Sequence, residues 1–108
     1  MSAENAIEVF ETPTFKKAFK KLAEREKVAV EDEIDLIIAD PELGELKKGD
    51  LSHLRVHKFK LNDAQVLLGY SWKAAELKLY LLTMGPHENF YKAAKKRRPA
   101  DLKFIDSP

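Results

Sequence analysis

At 108 residues and 12.4 kDa, the chain has material for one small domain and none for a second. Hydrophobic residues at 44% suffice for a core, 34% charged residues suit a solvated surface, and the lack of cysteine excludes disulfides and thiolate ligands or nucleophiles. No apolar run approaches the ~18–20 residues that span a bilayer, and Met1-Ser2-Ala3-Glu4-Asn5 does not open a secretory leader, so a cytoplasmic location is expected.

The first strand is predicted at Ile7-Glu8-Val9-Phe10, where polar and apolar residues alternate. Thr12 or Thr14 can then cap a helix that tolerates Pro13 in its first turn. Phe15, Ala18, Phe19 and Leu22 recur at helical spacing, leaving Lys16, Lys17, Lys20 and Lys21 on the wet side. A second helix is read from Val28, Val30, Ile34, Ile37 and Ile38. It must stop by Asp40-Pro41, because the residue before proline disfavours the α region. The short join around Arg25 to Lys27 predicts an antiparallel helical hairpin. Residues 41–53 read as a loop. Three strands follow at Leu54–Leu61, Gln65–Trp72 and Leu77–Thr83, with breaks short enough for hairpins. A last short helix is predicted from Glu88 to Lys96, ending before Pro99.

The expected fold class is therefore α+β, in the order β-α-α-β-β-β-α. An antiparallel sheet of about four strands carries the helical hairpin on one face, and the first strand joins its edge. The opposite face is expected to be partly open and to hold the function. Residues 1–98 form the single domain and residues 99–108 an extended C-terminal tail.

Charge and chemistry concentrate in the second half. Residues 1–50 hold 8 Lys/Arg against 13 Asp/Glu, whereas residues 51–108 hold 11 against 5, so the second half suits an anionic partner. In Arg55-Val56-His57-Lys58-Phe59-Lys60-Leu61, alternation puts Lys58 and Lys60 on one face, about 7 Å apart. Phe59 and Leu61 want the core, so the lysines take the open face. The same alternation sets Val56 beside the lysines and Arg55 with the core set, a conflict that a bulge or the start of the strand near Val56 would relieve. The last strand breaks at Gly85-Pro86 and delivers His87, with Tyr91 one helical turn on. Histidine titrates near neutrality and can serve as acid or base. Lys92, Lys95, Lys96, Arg97 and Arg98 form a basic run suited to an RNA or an acidic protein segment. His53 is read as a surface residue and His57 as facing the core or its edge. Tyr70, Trp72 and Tyr80 are read as packing residues. The three histidines lack metal-ligand spacing, so neither a metal nor another cofactor is expected.

The order of elements, Lys58-Phe59-Lys60-Leu61, and Leu82-Thr83-Met84-Gly85-Pro86-His87-Glu88-Asn89-Phe90-Tyr91 together resemble the RelE/ParE superfamily of toxins from bacterial type II toxin–antitoxin modules, over roughly residues 7–97. The RelE-like branch implies a ribosome-dependent mRNA endonuclease (interferase) that needs no metal. In it the RNA 2′-hydroxyl attacks the neighbouring phosphate, and a cognate antitoxin protein holds the toxin inactive. The resemblance implies that Lys58 and Lys60 stabilise charge and transfer protons. It places His87 where relatives carry an arginine or, in the YafQ-like branch, a catalytic histidine, and it makes Tyr91 a contact of the target nucleotide. RelE proteins carry an arginine on the third strand, where this chain has Leu67 with Gln65 nearby; Arg55 is the candidate substitute. Two other readings go with the same fold: a ParE-like inhibitor of DNA gyrase that is not an enzyme, and an inactive peptide-binding domain.

Overall fold

The computed structural model describes residues 7–106, so Met1 to Ala6 and the Ser107-Pro108 end of the expected tail lie outside it. Strand β1 (Glu8–Glu11) leads through Thr12 into helix α1 (Pro13–Lys20). The buried Thr12 hydroxyl accepts the Phe15 N–H at 3.0 Å and donates to the Leu82 carbonyl at 2.6 Å. One side chain thus caps the helix and ties its start to the sheet. Helix α2 (Glu24–Ala39) opens with Glu24 and Glu26 in its first turn, where carboxylates suit the positive end of the helix. Glu26 also accepts the Ala23 N–H at 2.8 Å. The join between the helices is residues 21–23, so Arg25 to Lys27 are already helical.

Strand β2 (Glu45–Leu46) and a single 3-10 turn, Gly49–Leu51, occupy the segment expected to be a loop. Strands β3 (Arg55–Leu61), β4 (Ala64–Lys73) and β5 (Lys78–Pro86) form the expected meander. Asn62 and Asp63 make the β3–β4 turn with φ of 54° and 66°, the left-handed pair that a two-residue hairpin needs. Helix α3 (Phe90–Ile105) ends the fold. The sheet order is β1-β5-β4-β3-β2, with β1 parallel to β5 and the other pairs antiparallel.

The α+β class and the hairpin on one sheet face stand as expected. Phe15 and Ile37 of the hairpin pack on Leu68, Tyr70, Leu79 and Leu81. The sheet has five strands rather than about four, because Glu45–Leu46 adds an edge too short to show a period. Strand β5 continues through Gly85-Pro86 instead of breaking there. Strand β1 stops opposite Leu81, so the far end of β5 has an unpaired side on which a proline is tolerated.

The main correction concerns the other face and the end of the chain. Helix α3 does not end before Pro99 but runs through it to Ile105, so residues 99–105 are helix and not an extended tail. An interior proline costs a helix about 3 kcal/mol. Here the cost is offset by docking: Ala94 and Ile105 are buried against Leu54, Val56, Leu67, Tyr80 and Leu82. Phe104 meets Tyr80 edge-on at 6.0 Å, and the Lys73 ammonium donates to the Ile105 carbonyl at 2.9 Å. The face expected to be open is therefore covered along α3, and the end that bears Lys58, Lys60 and Gln65 stays exposed. The same core settles the Arg55/Val56 conflict. Strand β3 is regular from Arg55, Val56 is buried under α3, and the irregularity lies between Gly69 and Tyr70 of β4.

Asp101 sits in that core, 2% exposed, with the Arg97 guanidinium 4.0 Å away. Burial pushes its carboxyl up to about 6, against the lowering pull of Arg97. The folded state then holds the proton more tightly than the unfolded chain. That contribution to stability is full below about pH 4 and is lost as pH rises through about 6. Asp101→Asn is accordingly expected to raise stability at pH 7.5 by about 1–2 kcal/mol and to change little at pH 4. Thermal unfolding at the two pH values checks this; equal shifts at both would contradict it.

No described helix is long and apolar enough to cross a membrane.

Candidate functional site

The site is built on the α3 side of the sheet, at the end that α3 leaves bare. Residues of β3 alternate: His57 and Phe59 turn to the helical hairpin, while Val56, Lys58 and Lys60 turn to the α3 side. Lys58 and Lys60 are exposed, and neither has an ion pair within 4.0 Å among the described residues. Strand pairing aligns Lys58 with Leu67 and Leu67 with Gly85, and it aligns Lys60 with Gln65. Pro86 pairs with Val66, so His87 leaves β5 at the level of Gln65 and Lys60. Two strand spacings separate them, about 10 Å between backbones, which lysine and histidine side chains can bridge around a phosphate. A Cβ at Gly85 would meet nothing within 4 Å, so the surface directly over Gly85, beside Leu67, is open.

The start of α3 supplies the aromatic part. At Gly69 a Cβ would stand 2.9 Å from Leu54 and 3.1 Å from Phe90, so glycine there lets Phe90 seat on the sheet. With Phe90 anchored, Tyr91 lies half-buried at the rim. Its ring meets His87 edge-on at 5.8 Å and Phe90 at 5.2 Å. The Lys47 ammonium stands 5.2 Å over the same ring and 2.9 Å from the Glu45 carboxylate. Glu45 pairs with Val56, two residues before Lys58 on the same face. The hydrogen-bonded Lys47 ammonium, and then Lys58 and Lys48, hold the Glu45 carboxyl below its usual range. Glu45 in turn raises Lys47, with Tyr91 adding to the effect.

His87, Lys58, Lys60 and Tyr91 thus share one side of the molecule. Arg55 is not brought to them. It lies on the hairpin face and donates to the carbonyls of Gly44 at 2.9 Å and Glu42 at 3.3 Å, holding the loop before β2. Of the basic run, Lys92, Lys95, Lys96 and Arg98 are exposed along α3, while the Arg97 guanidinium turns inward toward Asp101. His53 is not a plain surface residue: its Nε2 is buried without a hydrogen-bond partner among the described residues, and burial and then Arg98 lower its pKa. His57 faces the core edge as expected and meets the Glu33 carboxylate at 2.6 Å. Tyr70 is fully buried and structural, its hydroxyl accepting from the Gly44 N–H and donating to the Pro41 carbonyl. Lys47 and Glu45 went unread in the sequence because only the pairing of β2 with β3 carries their segment to the site.

A family model described as the ParE-like toxin of type II bacterial toxin–antitoxin systems matches residues 9–95. Among solved structures, the chain resembles a mutant of the E. coli toxin RelE in the free state, at 18% identity and a TM-score of 0.65, covering 85% of this chain and 97% of that one. It also resembles a chain of the intact E. coli RelBE toxin–antitoxin complex, at 15% identity and a TM-score of 0.61, covering 75% and 96%. At these identities the likeness concerns the fold. No curated protein matches the chain.

Proposed function

Since this chain belongs to the ParE-like toxin family of type II bacterial toxin–antitoxin systems, we propose that it is the toxin of such a pair and acts as a ribosome-dependent mRNA endonuclease. The observation that carries the nuclease reading is the shared face. An imidazole, two exposed ammonium groups and a phenol stand around one open end of the sheet. A gyrase inhibitor that works by binding alone has no need of that grouping.

In this reading the RNA 2′-hydroxyl attacks the adjacent phosphorus and the 5′-oxygen of the next nucleotide leaves, giving a 2′,3′-cyclic phosphate and a 5′-hydroxyl. His87 exchanges the proton at one of the two oxygens. Lys58 and Lys60 balance the charge that builds on the phosphoryl oxygens; with His87 as base an ammonium protonates the leaving 5′-oxygen, and with His87 as acid a lysine in its amine form takes the 2′-hydroxyl proton. Tyr91 positions the nucleotide, and Lys47 joins the phosphate-binding cations. Lys92, Lys95, Lys96 and Arg98 extend the basic surface toward RNA or toward an antitoxin. Gln65 and Leu67 bring no charge where RelE proteins place an arginine, so charge stabilisation falls on the lysines. The partner is a cognate antitoxin, a role that RelB fills for RelE in the similar complex. The setting is the cytoplasm, where mRNA is translated.

Primer extension on a reporter mRNA after induction tests the proposal. Cuts confined to translated message support it. Intact message with altered DNA supercoiling would replace it with the gyrase reading.

A further inference from the structure

Within the proposed site one group has the wrong sign. Glu45 puts a carboxylate among Lys47, Lys48 and Lys58, at the place where the polyanion of the proposed reaction would lie. Its placement follows from the fold. The two residues of β2 pair Glu45 with Val56 and Leu46 with Arg55, and the Arg55 guanidinium fixes the preceding loop through the Gly44 and Glu42 carbonyls. Lys47 is then held from two sides, at 2.9 Å from Glu45 and 5.2 Å over the Tyr91 ring. Both groups that Lys47 engages are the ones that a nucleotide would contest. A phosphate competes with the carboxylate for the ammonium, and a base competes with the ammonium for the ring face.

We propose that Glu45 is an internal stand-in for substrate phosphate: it occupies Lys47 in the free protein and is displaced when single-stranded RNA binds. This rests on the reading of the site as an RNA site and adds to it the residue that sets its affinity. Displacement leaves the carboxylate in solvent, where an exposed ion pair is readily broken. The structural design keeps Lys47 over Tyr91 without RNA and weakens binding to polyanions that cannot also engage the tyrosine ring. Glu45 is thus a positioning and specificity residue, not a catalytic one.

The test uses the full chain and a fluorescent single-stranded RNA, 2′-O-methylated throughout so that it cannot be cut, with anisotropy read across a salt series. Glu45→Gln is expected to bind about five-fold tighter at low salt, with a salt slope close to the native one because Lys47 meets phosphate in both proteins. Glu45→Asp, which keeps the charge, should stay near the native affinity. The gain should vanish in Glu45→Gln/Lys47→Gln. Unchanged or weaker binding by Glu45→Gln, a slope steeper by about 0.7 (one phosphate contact that the native protein never makes), or a gain that survives loss of Lys47 would each overturn the proposal. Cleavage of translated mRNA by the unmodified protein is scored separately. Cleavage without the affinity gain sinks only the role of Glu45, and the gain without cleavage sinks only the nuclease.

Discussion

Lys58→Ala is expected to lower mRNA cleavage on the order of 100-fold, the usual loss when one well-placed charge stabiliser is removed. Lys60→Ala and His87→Ala should fall in the same range. Because these residues act as a unit, the triple variant should lose far less than the product of the three effects. The side chains of Lys58, Lys60 and His87 are exposed and outside both hydrophobic clusters, so the variants should unfold at nearly the native temperature. Loss of toxicity with an unchanged thermal midpoint would therefore be a loss of chemistry. Full toxicity from all three single variants would remove these residues from the mechanism.

Truncation after Arg98 is the second large effect, and it falls on stability. It removes Ile105, which is 5% exposed, and the Phe104 ring against Tyr80. Stripping a buried isoleucine from a core costs about 2–5 kcal/mol, and about 3 kcal/mol corresponds to a drop on the order of 15 °C in a domain of this size. The loss of Asp101, whose buried carboxylate opposes folding near neutrality, offsets part of it. A truncated protein that melts within a few degrees of the full chain would show that residues 99–105 contribute little to the core.

These two expectations also mark where the sequence was legible. The hairpin helices follow from apolar residues at helical spacing, and Thr12-Pro13 marks the start of α1. The alternation in β3 sends Lys58 and Lys60 one way and Phe59 the other, and the structure has them so. What failed has physical causes. Pro99 is a valid stop signal for an isolated helix, but propensity yielded to the apolar face that Ala94 and Ile105 place on the sheet. Gly85-Pro86 reads as a break only if the strand has partners on both sides, and β1 ends too early for that. Arg55 is the candidate substitute because a guanidinium can clamp phosphate, yet its position on the strand commits it to the loop carbonyls. Lys47 and Glu45 depend on a two-residue strand pairing across the sheet edge, which leaves no period to read. The side chains of the site were thus legible where local alternation governs them, and hidden where a long-range contact does.

The proposed function is cleavage of ribosome-bound RNA by the groups gathered at the bare end of the sheet. Its most direct measurement is a single-turnover assay in a purified translation system, with a 5′-labelled mRNA and mapping of both new ends. The native protein should cut only the ribosome-bound message, leaving a 2′,3′-cyclic phosphate upstream and a 5′-hydroxyl downstream, and His87→Ala should be on the order of 100-fold slower. An intact message at saturating toxin, or cleavage by His87→Ala, Lys58→Ala and Lys60→Ala at the native rate, would contradict it.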